Sequence, residues 1–283
     1  MTAPRSMTAL VLGGGGPAGV AWTSALLHEL VSGGLPAAES DVVLGTSAGS
    51  VAGAWLTMRP GGLPTLPQRM LDRAGWHARN TESGYGDRDL LRRVVAGSTH
   101  DAESARGIGQ AAIAAIPPIS VDQAEGLWRA TLPEGPWPDR LRVTSVNAGT
   151  GAAKAWSAAD GVPLAAAVAC STAAPGAAPP VTLADSVWVD GAVRSGTNAD
   201  LVRDVGSAAR GRVLVLAPLP NDGLAREEAV LVEHGYRVTV ITAEPFYETI
   251  ADLMNPRFVK VAEAAGAQRA RAVAAELAVW WNA

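Results

Sequence analysis

Several functional classes are closed off by what this sequence lacks. It has one cysteine, Cys170, so no internal disulfide framework can form, and the chain fits a reducing compartment. Lysine is almost absent, occurring only as Lys154 and Lys260, and the arginines form no basic cluster. With a formal net charge of −4, nothing in the balance favours nucleic acid or an anionic membrane surface as a partner. No run of about eighteen apolar residues occurs, so no spanning helix is expected. The stretch from Met1 to Leu12 lacks the apolar core and small-residue cleavage site of a secretion signal, which makes cytoplasmic the expected location. Internal repeats and low-complexity tracts are also missing.

What is present is an ordinary globular balance, 48% hydrophobic and 18% charged, over 283 residues. The chain is organised around Gly45-Thr46-Ser47-Ala48-Gly49. Asp41 to Leu44 reads as a short strand running into this string, and Ser50 to Leu56 reads as a helix leaving it. A serine at such a strand–turn–helix junction has a strained backbone that lifts its hydroxyl clear of the sheet. Glycines two residues to either side let strand and helix close around it.

The rest of the chain alternates in the same way. Thr8 to Leu12 reads as a first buried strand, followed by the glycine run Gly13 to Gly16 and a buried helix from Val20 to Val31. A Pro/Gly-rich connector spans 59–67, and several helices come after it, the clearest being Ala102 to Ile116 and Val121 to Thr131. Strands return at Leu141 to Asn147 and Ala153 to Ser157 as a hairpin, then at Ser186 to Val189, Arg212 to Leu216 and Arg237 to Ile241. Helices are expected over Pro163 to Ala169, Leu224 to His234 and Val259 to Trp281. This pattern implies an α/β fold: one domain over 1–283 with a central, mostly parallel sheet flanked by helices on both faces. A helical insert at about 60–135 comes after the serine's helix and is the expected lid or substrate-shaping wall, and 206–283 supplies the C-terminal strands and helix.

Two uses of the glycine run compete. Gly14, Gly16 and Gly19 satisfy G-x-G-x-x-G between a strand and a helix, the context of a dinucleotide fingerprint. That use also needs an acidic residue at the end of the second strand, where this chain has its serine turn. Alternatively, glycine backbone at a helix N-terminus aims several N–H groups at one spot, with the helix dipole behind them. Such a site holds an oxyanion. If strands one and two are parallel neighbours, Gly14 to Gly16 face Ser47 across the strand ends.

The serine requires a base. His28 lies in the first helix and suits packing, His77 and His100 fall in the insert and read as solvated surface residues, and His234 ends a polar helix. Asp190 is the stronger candidate, a carboxylate at the C-terminal end of a strand with Gly191 directly after it. Cys170 reads as a packed small residue, and Trp22 and Trp55 as core. The pair Trp280-Trp281 reads as docking the last helix on the core, a lipid interface being the alternative.

Three blocks stand in order: G-G-G-x-x-G at 14–19, G-x-S-x-G at 45–49, and Asp190-Gly191-Ala192. A small-residue, proline-rich segment, Cys170 to Val181, precedes the last of these. In these blocks the chain resembles the patatin-like phospholipases over residues 8–205. The resemblance implies a serine acyl hydrolase with a Ser–Asp dyad, no catalytic histidine, and no metal or cofactor. It implies Ser47 as nucleophile, Asp190 as base, and the N–H groups of Gly14, Gly15 and Gly16 as the oxyanion hole, assisted by Ala48. Gly19, Gly45, Gly49 and Gly191 support the motifs. Many members carry Arg or Lys where this chain has Ala18, which bears on headgroup binding. The expected substrate is a lipid or small acyl ester, with transient membrane-surface contact as a further partner. Two other readings stay open: a dinucleotide-binding oxidoreductase, and a catalytically idle member that binds lipid or protein.

Overall fold

A computed structural model of the chain describes residues 6–80, 87–96, 100–206 and 210–282. In β1 (Met7–Leu12) successive side chains go to opposite faces and both sets are buried: Leu10 and Leu12 in one core, Ala9 and Val11 in another. A strand buried on both faces belongs inside a parallel sheet covered on each side by helices. β1 leads into α1 (Gly16–Ser32), and β2 (Val42–Thr46) leads into α2 (Ala48–Met58). The insert consists of α3 (Leu66–Asn80), α4 (Arg88–Ala96), α5 (Ala102–Ala115) and α6 (Val121–Trp128). The chain re-enters the sheet with β3 (Leu141–Asn147) and β4 (Ala153–Trp156), crosses α7 (Leu164–Ser171), and forms β5 (Val181–Leu183) and β6 (Ser186–Asp190). The short α8 (Val202–Val205) precedes β7 (Gly211–Ala217), α9 (Gly223–Glu233) and β8 (Tyr236–Thr242). Then come α10 (Ile250–Leu253) and the long α11 (Val259–Asn282).

The eight-stranded sheet has the order β5-β6-β3-β2-β1-β7-β8, with β4 also paired to β3. Neighbours among β1, β2, β3, β7 and β8 are parallel, while β4, β5 and β6 join antiparallel. The expected mostly parallel α/β class therefore holds. Two local features differ from the sequence reading. α1 begins at Gly16 rather than Val20, because Pro17 suits a first helical turn and does not interrupt it. β5 has only three residues, too short for a period-two pattern, and it turns into β6 through Ala184 and Asp185, both at positive φ.

The registers along β3 position the site. β4 pairs with Val143 to Val146 along one edge of β3. The other edge is shared: β2 occupies it up to Thr144, partner of Thr46, and β6 takes over from Ser145, partner of Asp190. The C-terminal ends of β2 and β6 thus meet head-on, and the residue after Thr46 is Ser47.

α11 closes the face over α1. Leu277 and Trp281 are buried, and Trp280 packs against the same core, so the tryptophan pair docks the last helix. At Gly266 a β-carbon would lie 2.2 Å from the Trp22 carbonyl oxygen. Alanine is worth about 1 kcal/mol over glycine inside a helix. Overpacking against fixed backbone costs about 1–3 kcal/mol and outweighs that gain. Gly266→Ala is therefore expected to lower stability by roughly 1–2 kcal/mol in urea unfolding, and an unchanged midpoint would contradict this packing.

Candidate active site

Ser47 stands at φ 51° and ψ −117°, a region that side chains other than glycine rarely occupy. Closure on both sides over-determines it. A β-carbon at Gly49 would lie 1.9 Å from the Leu12 carbonyl oxygen, and one at Gly45 would lie 2.6 Å from the Gly49 carbonyl oxygen. The Ser47 N–H donates to Ser171 Oγ at 2.9 Å, and the Ser50 N–H and hydroxyl both donate to the Ser47 carbonyl. The junction is thus pinned on every side, and the Ser47 side chain is turned toward a cavity.

Asp190 enters from β6 and is 1% exposed. Its Oδ1 accepts the Ala192 N–H at 2.8 Å, its own N–H donates to the Ala173 carbonyl at 3.1 Å, and the Ser47 side chain lies near enough to the carboxyl to favour its ionised form. Burial pushes this carboxyl up to about 7, against the lowering pull of the Ala192 N–H and the Ser47 hydroxyl. Gly191 is needed for close approach, since a β-carbon there would meet Thr144 Oγ1 at 2.4 Å. A carboxyl with this affinity for protons, beside a hydroxyl, can accept a proton near neutral pH.

The glycine loop lies against the same serine: a β-carbon at Gly14 would be 3.3 Å from Ser47 Cβ. Its donors divide in a way the sequence does not reveal. Gly13 N–H donates to the Leu216 carbonyl at 2.9 Å and Gly14 N–H to the Gly196 carbonyl at 2.8 Å. The Gly14 N–H, expected with Gly15 and Gly16 to face an oxyanion, is here engaged in holding the loop. Gly15 and Gly16, at φ 156° and 59°, begin α1 without a side-chain cap. α2 likewise begins without one. Among the described residues, the N–H groups of Gly15, Gly16 and Ala48 have no hydrogen-bond partner. Gly19 lets the two helices approach: its N–H returns to the Gly15 carbonyl at 2.7 Å, and a β-carbon there would be 3.4 Å from Ala48 Cβ. Ala18 is fully buried in the core.

A cavity of about 1120 Å³ opens over Ser47, Asp190 and the glycine loop. Its walls are largely apolar, with Val20 and Val51 from the core helices and Met70, Leu91, Ile119 and Trp128 from the insert. The insert is thus a wall of this cavity, whereas Trp22 and Trp55 are absent from its lining and belong to the core. No histidine lines it among the described residues.

A family model for patatin-like phospholipases matches residues 10–203, more than half of the chain. The chain belongs to that family. A search of curated proteins finds no match. Patatin-like membership supports lipid acyl hydrolase activity in general and a lipid as substrate. Among the described residues, no helix is long and apolar enough to cross a membrane.

In this patatin-like protein the sequence reading misses a buried polar network beneath the site. Thr46 Oγ1 contacts Thr144 Oγ1 at 2.8 Å and donates to the Thr197 carbonyl at 3.1 Å. Asn198, at φ 52°, uses its amide to bond Thr46 Oγ1, the Gly191 carbonyl and the Ser195 carbonyl. Glu227 on α9, 1% exposed, accepts from the Thr197 hydroxyl, from Ala199 N–H at 2.9 Å and from His100 Nε2, also at 2.9 Å. The expectation of a solvated His100 is therefore corrected: its side chain is 5% exposed and paired with Glu227. The polar run from Ser195 to Asp200 was the available signal, while Glu227 sits in a helix patterned like any exposed one. His234 caps its own helix through Val230, and the side chain of His77 lies outside the described residues. Cys170 is buried, and burial pushes its thiol up to about 12, so it is inert packing.

The ligand atoms of His100, Asp200 and Glu227 lie within 4.8 Å of one another, the best placed set for a metal among the described residues. However, Arg194 bonds both oxygens of Asp200, at 2.9 and 2.5 Å, and Glu227 is already filled. The donors are neutralised from within, so the set does not fit a dication.

The buried carboxyl has a thermodynamic signature. Between the ordinary carboxylate range and about 7, the folded state holds a proton that the unfolded chain has released, so Asp190 makes stability fall as pH rises through that window. The effect amounts to roughly 4 kcal/mol at most. Asp190→Asn should have a higher Tm than wild type at pH 8, with the gap closing toward pH 4. A Tm difference independent of pH would contradict it.

Proposed function

We propose that the protein is a serine-dependent lipid acyl hydrolase of the phospholipase A or esterase type, acting as one domain on carboxylic esters. What supports this reading is the Ser47 side chain beside the buried Asp190 carboxyl, both lining one cavity with Gly15, Gly16 and Ala48, whose N–H groups have no hydrogen-bond partner among the described residues. Ser47 Oγ attacks the acyl carbonyl while its proton passes to Asp190. The carbonyl oxygen becomes an oxyanion, received by the N–H groups of Gly15, Gly16 and Ala48 at the positive ends of α1 and α2. Each well-aimed donor contributes about 3 kcal/mol to such an intermediate. Collapse breaks the ester C–O bond, and protonated Asp190 returns its proton to the leaving alkoxide. Water then attacks the acyl-serine, again losing its proton to Asp190, and the free acid departs with Ser47 restored.

Donors fixed at the helix starts favour the ionised intermediate over the ground-state ester. Apolar walls suit an acyl chain and favour no charged nucleotide, and β2 ends in Thr46 rather than in the carboxylate that a ribose site needs. The dinucleotide alternative therefore finds no support at this strand end. A transient membrane contact would deliver the lipid.

Ser47→Ala and Asp190→Asn are each expected to lower kcat/KM on a short-chain p-nitrophenyl ester by roughly 10⁴-fold. Because Asp190 works as the carboxylate, wild-type kcat/KM should rise with pH through an apparent pKa near 7. Full activity in either variant, or labelling by a fluorophosphonate probe that survives Ser47→Ala, would refute the dyad.

A further inference from the structure

Among the described residues, Arg73 is the one charged side chain that the insert contributes to the lining of the cavity. Arg73 on α3 lines it together with Met70, one turn earlier, and with Leu127 and Trp128 of α6. Its guanidinium lies over the Trp128 ring at 3.9 Å, and one N–H donates to the Leu127 carbonyl. No carboxylate among the described residues forms an ion pair with it. The adjacent Asp72 instead accepts from Gln68 at 2.9 Å. Burial alone brings Arg73 down to about 10, with no neighbouring negative charge opposing it.

Arg73 also borders a second cavity of about 390 Å³, which Arg69 lines one turn away. Arg69 sits over Trp55 at 4.7 Å, bonded to Thr65 and to the Ala130 carbonyl. Two guanidinium groups on consecutive turns thus sit over indole rings and bond carbonyls near the end of α6. Stacking and carbonyl bonding account for where these side chains lie. A half-buried charge without a counter-ion still carries a desolvation cost, and a guanidinium has five N–H donors, of which one is spent here. Arg73 lines the cavity, and its planar fork fits carboxylate or phosphate oxygens.

We propose that Arg73 is a specificity-determining residue that receives an anionic oxygen group, phosphate or carboxylate, of the amphiphilic acyl ester whose carbonyl reaches Ser47. The inference rests on the acyl-hydrolase reading and narrows its substrate class from lipid esters in general to those carrying a negative charge.

The test compares wild type, Arg73→Met and Arg73→Lys on two matched pairs of substrates. One pair is a monoacylglycerol phosphate against the corresponding monoacylglycerol. The other is the mono-p-nitrophenyl ester of a long dicarboxylic acid against p-nitrophenyl dodecanoate. In at least one pair, the anionic-to-neutral ratio of kcat/KM should fall at least about ten-fold in Arg73→Met and recover in part in Arg73→Lys. The pair that moves tells whether the charge lies on the alcohol side or at the acyl end. A ratio unchanged within about two-fold in both pairs overturns the assignment, whatever the absolute rates. Should wild type cleave none of the four, the hydrolase reading fails. Calorimetric titration of the two monoacyl lipids and of the two matching long-chain acids into wild type and Arg73→Met then decides the anion site. Equal affinities in the two proteins overturn it, and at least ten-fold weaker binding of an anionic member alone by the variant upholds it.

Discussion

One edge of β3 is shared by two strands that arrive from opposite directions, and the candidate site depends on that sharing. Thr144 pairs with the last residue of β2, and Ser145 pairs with the last residue of β6. Because the two strands stop against one another, the chain leaving each of them is forced out of the sheet at the same point. After β2 this is the turn that carries Ser47, and after β6 it is the turn at Gly191. The distance between hydroxyl and carboxyl is thereby set by backbone pairing rather than by flexible side chains. Under the edge, Asn198 joins both turns, bonding Thr46 Oγ1 on one side and the Gly191 carbonyl on the other.

This arrangement places opposing electrostatic demands within a few residues. Burial disfavours the ionised form of Asp190, while α1 and α2 both begin at the cavity with uncapped N-termini that favour negative charge. In the resting site neither demand is fully met, since the carboxyl is buried and the first turns of α1 and α2 carry no side-chain cap. A tetrahedral oxyanion would meet the second demand at the moment a proton satisfies the first. The surrounding core, with β1 buried on both faces and α11 clamped over α1, supplies the rigidity that keeps such unsatisfied groups in place.

Much of this was legible in the sequence because it is local. The string around Ser47 and the turn after Asp190 are each a few residues long, and their glycines mark close approaches that the geometry bears out, 1.9 Å at Gly49 and 2.4 Å at Gly191. The alternation of strands and helices pointed to the sheet class for the same reason. What escaped was non-local. The sequence shows a run of glycine amides, but which of them is spent depends on Gly196 and Leu216, carbonyls that only the folded chain brings near. His100 and Glu227 look like surface residues in polar surroundings, and their burial comes from α9 packing against the 195–200 turn. β5 is shorter than any periodicity can register.

The family match ends at residue 203, yet the sheet and the polar network do not. β7 lies beyond that boundary and pairs with β1 along its whole length, and Glu227 reaches back from α9 to anchor Thr197 and Ala199. A fragment ending at residue 203 would turn an interior strand into an apolar, unprotected edge, the kind of surface on which chains stick to one another. The loop beside Gly14 would lose its carboxylate tether in the same cut. The serine and aspartate motifs occupy the first two-thirds of the chain, but the smallest unit able to hold them in place is set by its last third.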